Sequence, residues 1–156
     1  MKKVVIIMGS KSDLDWAEKI SESLNKFGIE NVKRIASAHK VPLKCYDIIK
    51  KYEKENVVFI TIAGMSNALS RFYDAQTNRL VIACPPYSEK FGGADLFSSV
   101  RMPSGVAPMT VLSPENAALA AAKIIALSHP ELKDTINEYQ EKNRNKIEEA
   151  DLSINQ

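Results

Sequence analysis

Short runs of apolar, β-branched residues alternate along this chain with stretches whose apolar residues recur at helical spacing, and that alternation limits the possible folds more than any other feature. The first run is Val4, Val5, Ile6, Ile7 and Met8. A strand covered on both faces reads this way, because a half-exposed strand would alternate apolar with polar residues. Gly9 and Ser10 end the run, and Leu14, Ala17, Ile20, Leu24 and Phe27 then mark a helix, with Ser12 or Asp13 as the expected N-cap and Gly28 as the stop. The pattern repeats with a shorter, more polar strand at 31–35, a helix opening at Pro42 and running to Tyr52, and a strong strand at 57–63. A third helix is expected from Asn67, a fourth strand at 80–84 halted by Pro85 and Pro86, and a fifth at 107–112. Strands that alternate with helices pair in parallel through right-handed crossovers. The expected fold is therefore α/β: a three-layer αβα arrangement on a parallel sheet, flavodoxin-like or Rossmann-like.

Two helices are expected after the fifth strand. The first, at 115–127, carries Ala117, Ala118, Ala120, Ala121 and Ala122, small residues that let another backbone approach closely. Beyond Pro130, Leu132, Ile136 and Tyr139 form an apolar stripe, whereas 141–151 is so charged that it is expected to extend from the domain. Docking on a neighbouring subunit and a solvated, fraying tail are both open readings of that segment. A length of 156 residues suits one domain over 1–156, with about 130–156 as a C-terminal helical extension.

Charge and cysteine usage exclude several classes. Lys plus Arg number 21 against 19 Asp plus Glu, a net charge of +2, so no general attraction to nucleic acid is expected and any anion binding must be local. No apolar run approaches the roughly 18 residues of a membrane span, and the opening MKKVVIIMGS lacks a secretory cleavage region. Cys45 and Cys84 match no metal-ligand spacing and are expected to stay reduced in the cytoplasm.

Ligands of open parallel sheets bind at the carboxyl ends of the strands, so the loops there carry the chemistry. In the first, Ser10 and Ser12 offer hydroxyls to a phosphate or sugar, Asp13 can accept from ribose hydroxyls, and the new helix offers unpaired N–H groups to an anion. Plain helix capping accounts for the same residues. In the second, Ser37-Ala38-His39-Lys40 places a histidine able to move a proton near neutrality beside a flexible cation. Each taken alone reads better as a solvated loop residue. The third, 63–70, is small and polar, so that backbone can approach a ligand closely, although Asn67 also reads as a helix cap. The stretch 84–108 is too long and apolar for a simple turn and is expected to form a pocket wall or a subunit contact. His129 is assigned no role. Phosphate-loop, dinucleotide-fingerprint, nucleophile-elbow and clustered metal-ligand patterns are lacking in the sequence, which weakens triphosphate hydrolysis, nicotinamide chemistry and zinc hydrolysis.

Taken together, MGSKSD at 8–13, SAHK at 37–40, AGMSNALS at 63–70, ACPP at 83–86 and SSVRMPSGVAP at 98–108 resemble, in order and spacing, the PurE family. The resemblance covers nearly the whole chain up to the charged tail. It implies formation of carboxyaminoimidazole ribonucleotide in purine biosynthesis, by one of two branches. One moves a carboxylate from N5 to carbon 4 of the imidazole; the other adds carbon dioxide to aminoimidazole ribonucleotide directly. Mutase-type members typically carry AGAGGAAHLPG in the third loop, with a second histidine, and arginine where Lys40 stands. The third loop here, with Pro85-Pro86 and RMPSG at 101–105, resembles the carboxylase branch. Met65 departs from that branch's arginine, Arg71 from its glycine, and Val41 from the usual threonine.

Carried over residue by residue, the resemblance implies that Ser10 and Asp13 hold the ribose, that Ser12, Ser37 and Lys40 surround the phosphate, and that His39 is the acid–base. Gly64, Ser66 and Asn67 would line the carboxyl end. It implies no cofactor or metal, aminoimidazole ribonucleotide and carbon dioxide as ligands, and a homo-octamer with sites at subunit contacts. The rivals are the N5-carboxyaminoimidazole ribonucleotide mutase and, from another class, a non-catalytic flavodoxin-like module that binds a nucleotide or flavin.

Overall fold

A computed structural model describes residues 2–154. Five parallel strands, β1 (Lys3–Met8), β2 (Glu30–Ile35), β3 (Val57–Ile62), β4 (Val81–Ala83) and β5 (Met109–Thr110), form one sheet in the order β2-β1-β3-β4-β5. Side chains alternate across a strand, so the continuous apolar run of β1 feeds two cores. Val4, Ile6 and Met8 meet α1 (Leu14–Lys26), α5 (Pro114–Ile125) and the start of α6 (Leu132–Ile154) on one face. Val5 and Ile7 meet α2 (Pro42–Tyr52) and α3 (Ala68–Gln76) on the other. The three layers thus follow from central strands, β1 and β3, that are buried on both faces. Truncating a residue such as the fully buried Ile6 to alanine would cost about 2–5 kcal/mol.

The alanines of α5 act as their size suggests: Ala117, Ala118, Ala121 and Ala122 are fully buried, and α5 packs on α1. Gly28 ends α1 in a left-handed conformation (φ 65°), which lets the Ile29 N–H turn back to Leu24 O at 3.1 Å. The N-terminal cap differs from expectation in one respect. Asp13 does stand at the N-cap position of α1, but it makes no side-chain capping bond there; the capping bond is made by Ser10, to a 3-10 turn at Lys11–Asp13 that leads into the helix.

Both late strands are shorter than their apolar runs, β5 most of all. Pro108 has no N–H, and the Ala107 N–H donates to Asp74 Oδ2 at 2.6 Å, so neither joins the ladder. Between β4 and β5 the chain folds into two 3-10 turns, Glu89–Phe91 and Ala94–Leu96, and a single-turn helix α4 (Phe97–Val100). The long helix α6 buries Leu132 and Ile136 and sets Tyr139 edge-on to Phe27, with ring centres 5.2 Å apart. From 141 to 154 it is exposed throughout. Among the described residues no helix is long and apolar enough to cross a membrane.

Candidate active site

The strand order reverses direction between β1 and β3, and the crevice outside their carboxyl ends is where such sheets take ligands. A cleft of about 430 Å³ opens there. Ser10, Ser12 and Asp13 line it from the turn after β1, Ser37 and His39 from the turn after β2, and Gly64 and Ser66 from the loop after β3. Three segments far apart in the chain therefore meet because three parallel strands end side by side.

The first wall is held by reciprocal hydrogen bonds. Ser10 Oγ accepts from Ser12 N–H at 3.1 Å and lies 2.8 Å from Ser12 Oγ, while Asp13 Oδ2 accepts from Ser10 N–H at 3.1 Å. Partial burial raises the Asp13 pKa above its ordinary value, and the Ser10 N–H acts the other way by stabilising the carboxylate. Gly9 donates its N–H to Ile62 O at 2.9 Å, tying this wall to β3. A Cβ at Gly9 would meet only ordinary contacts, so the turn does not require glycine there.

The second wall is a turn held by Ser37, whose Oγ accepts from Lys40 N–H at 3.3 Å and whose carbonyl accepts from Val41 N–H at 2.8 Å. That turn presents the exposed His39 at the cleft edge. Lys40 is exposed and does not line the cleft.

The third wall rests on a buried strut. Asn67, only 1% exposed, accepts from Ser70 N–H at 3.1 Å through Oδ1 and donates to Ser99 Oγ at 3.0 Å through Nδ2. Its N–H donates to Ser98 Oγ at 3.0 Å, and Arg71 grips the Ser98 carbonyl. The polar groups of Asn67 are thus directed into the protein, and the side chain does not reach the cleft. Met65 lies between Gly64 and Ser66 with φ 57° and a largely exposed side chain.

Of the residues singled out in the sequence, Ser10, Ser12, Asp13, Ser37, His39, Gly64 and Ser66 come together on one cleft; Lys40 and Asn67 do not. Pro86 and Ser88 add a fourth wall from the segment after β4. Ser88 gave no signal in the sequence, whereas the paired prolines did. The second histidine, His129, lies at the α5–α6 junction, with Nδ1 3.3 Å from Glu131 Oε1. Among the described residues no three His, Cys, Asp or Glu stand together as a metal ion would require.

A family model described as AIR carboxylase matches residues 3–146. A phosphoribosylaminoimidazole carboxylase of Archaeoglobus fulgidus is 63% identical over 97% of this chain and 84% of its own length. Another from Treponema denticola is 49% identical over 97% of this chain and 96% of its own. The crystal structure of Treponema denticola PurE superposes with a TM-score of 0.96 at 48% identity, covering 99% of each chain. The motifs around the cleft, the β2-β1-β3-β4-β5 sheet and these likenesses agree, and the chain belongs to the AIR carboxylase family.

Proposed function

We propose that this chain is a phosphoribosylaminoimidazole carboxylase of the direct branch, adding carbon dioxide to carbon 4 of aminoimidazole ribonucleotide, with His39 as acid–base. One observation carries the reading: a single histidine edges a cleft whose other walls are hydroxyls, one carboxylate and a small-residue loop. The aminoimidazole ring is an electron-rich enamine, so carbon 4 can attack carbon dioxide without help beyond orientation. The new C–C bond forms as one C–O π pair moves onto oxygen, giving a carboxylate. His39 then takes the carbon 4 proton, restoring the aromatic ring, and in reverse returns it as carbon dioxide leaves.

Ser10, Ser12, Asp13 and Ser37 would hold the ribose and phosphate, with Lys40 supplying charge from the rim and Gly64 and Ser66 at the carboxyl end. The absence of a second histidine from the third loop favours direct carboxylation over transfer from N5. One PurE-like domain over 1–156, a homo-octamer assembled partly through the exposed end of α6, and a cytoplasmic location complete the proposal.

The test is formation of carboxyaminoimidazole ribonucleotide by pure protein at short times. One arm supplies aminoimidazole ribonucleotide with dissolved carbon dioxide, the other the N5-carboxylated nucleotide alone. Turnover with carbon dioxide alone is expected. Turnover only with the N5-carboxylated nucleotide would make the chain a mutase. Turnover with neither, together with a bound flavin, would favour a binding module.

A further inference from the structure

Trp16 is the only tryptophan in the chain. It sits in the first turn of α1, three residues after Asp13, and its Nε1–H donates to Cys84 O at 3.2 Å. That carbonyl lies at a place where the sheet runs out. β3 ends at Ile62, and the residues after Cys84 are Pro85 and Pro86, which have no N–H to offer. Cys84 is fully buried, so the indole satisfies an acceptor that water cannot reach. The ring is held in turn by the apolar core beneath it and by Lys19 Nζ, 5.6 Å from its centre.

The second of the two prolines connects this bond to the cleft. Pro86 forms a cleft wall directly opposite Gly64, where an added Cβ would lie 3.7 Å from Pro86 Cγ. Trp16 therefore links the element that carries Ser10 and Asp13 to the wall that faces the end of the cleft formed by Gly64 and Ser66.

We propose that Trp16 is a positioning residue for carboxylation: its indole N–H sets the Pro86 wall against Gly64 and so fixes the space in which carbon dioxide meets carbon 4. The inference rests on the reading of this cleft as the carboxylation site. A misplacement of about 1 Å at a reacting centre can cost a hundredfold in rate, so one lost tether is enough to matter.

Three variants separate positioning from packing. Trp16→Phe keeps an aromatic ring and loses the donor. Trp16→His keeps the donor, because the imidazole ring overlays the five-membered half of indole with Nε2 where Nε1 stood, but gives up more apolar area. Because there is one tryptophan, growth on benzothienylalanine replaces its N–H with sulfur at nearly unchanged shape. The expected result is a kcat lowered about tenfold or more in Trp16→Phe and in the sulfur analogue, with the nucleotide KM nearly unchanged. Trp16→His is expected to recover much of that kcat although urea unfolds it more readily than Trp16→Phe.

A kcat that follows stability, with Trp16→Phe above Trp16→His, would overturn the proposal, as would full kcat in the sulfur analogue. His39→Asn is measured alongside. If His39→Asn is inactive while the sulfur analogue is normal, the Trp16 inference alone fails. If His39→Asn is active, the reading of the cleft fails first.

Discussion

Ser10 and Asp13 hold each other across one turn: the Ser10 N–H donates to Asp13 Oδ2 at 3.1 Å, and the Ser10 side chain caps the turn on which Asp13 stands. Burial raises the Asp13 pKa above 3.8, with the Ser10 N–H opposing. A carboxyl whose folded pKa is raised adds stability below its unfolded value and loses it as pH rises through the folded one. At neutral pH the ionised Asp13 therefore weakens the fold, which suits a group kept for binding. Asp13→Asn retains an acceptor for the Ser10 N–H and is expected to melt no lower than the parent at pH 7. Its nucleotide KM is expected to rise about tenfold or more, as a charge-assisted hydrogen bond worth about 1.5–3 kcal/mol is lost. Steady-state kinetics and thermal unfolding check this, and a lower melting temperature with unchanged KM would assign Asp13 to the fold alone.

His39 is carried by a turn whose hydrogen bonds belong to Ser37, so changing the imidazole leaves its backbone support in place. His39→Asn is expected to bind nucleotide nearly as the parent does while kcat falls at least about a hundredfold, a typical acid–base contribution. Calorimetric titration and turnover together test it; near-normal turnover would remove His39 from the mechanism.

The strand ends are legible in the sequence because β1 and β3 are apolar on both faces, and parallel strands so covered bring the three loops to one edge. The division of labour within a loop is not legible. Asn67 has the same neighbours in sequence whether it faces a ligand or a strut; Ser98 and Ser99, more than thirty positions away, turn it inward. Asp13 holds the N-cap position of α1 but Ser10 makes the capping bond, because a 3-10 turn precedes the helix and local spacing fits either start. The left-handed backbone at Met65 carries no mark in a residue type that rarely adopts it.

Asn67 is accordingly expected to act on stability first. Asn67→Ala leaves the Ser70 N–H and the Ser99 hydroxyl without their partner in a buried place, at a cost of about 2–4 kcal/mol. Urea unfolding measures it. A stability unchanged from the parent, with altered kinetics, would return Asn67 to the cleft.

Cys84 gives the fold an alkaline limit. Burial pushes its thiol from 9.0 to about 11, so the unfolded chain loses this proton before the folded one does. The thiol's contribution is complete below pH 9 and declines as pH rises from 9 to about 11, by up to about 3 kcal/mol for this group. The parent is therefore expected to lose more stability than Cys84→Ala between pH 8.5 and 10.5, measured by urea midpoints. Equal losses would mean that the thiolate is accommodated in the folded state.

The end of α6 is expected to matter to assembly and little to the subunit itself. Tyr139 on Phe27 is an aromatic contact back to the body of the protein, and from 141 to 154 every residue is exposed, including Ile147, Leu152 and Ile154. Three large apolar side chains standing on a solvated helix gain by finding cover, and the proposed octamer offers a second copy to supply it. Removing residues 142–156 spares Tyr139 and its packing. The shortened chain is expected to keep its fold but to hold fewer subunits per particle in light scattering, and to lose turnover if the neighbouring subunit completes the cleft. An unchanged number of subunits per particle would leave this helix end as a solvated extension and place any contact between subunits elsewhere, with the apolar segment after β4 the next surface to alter.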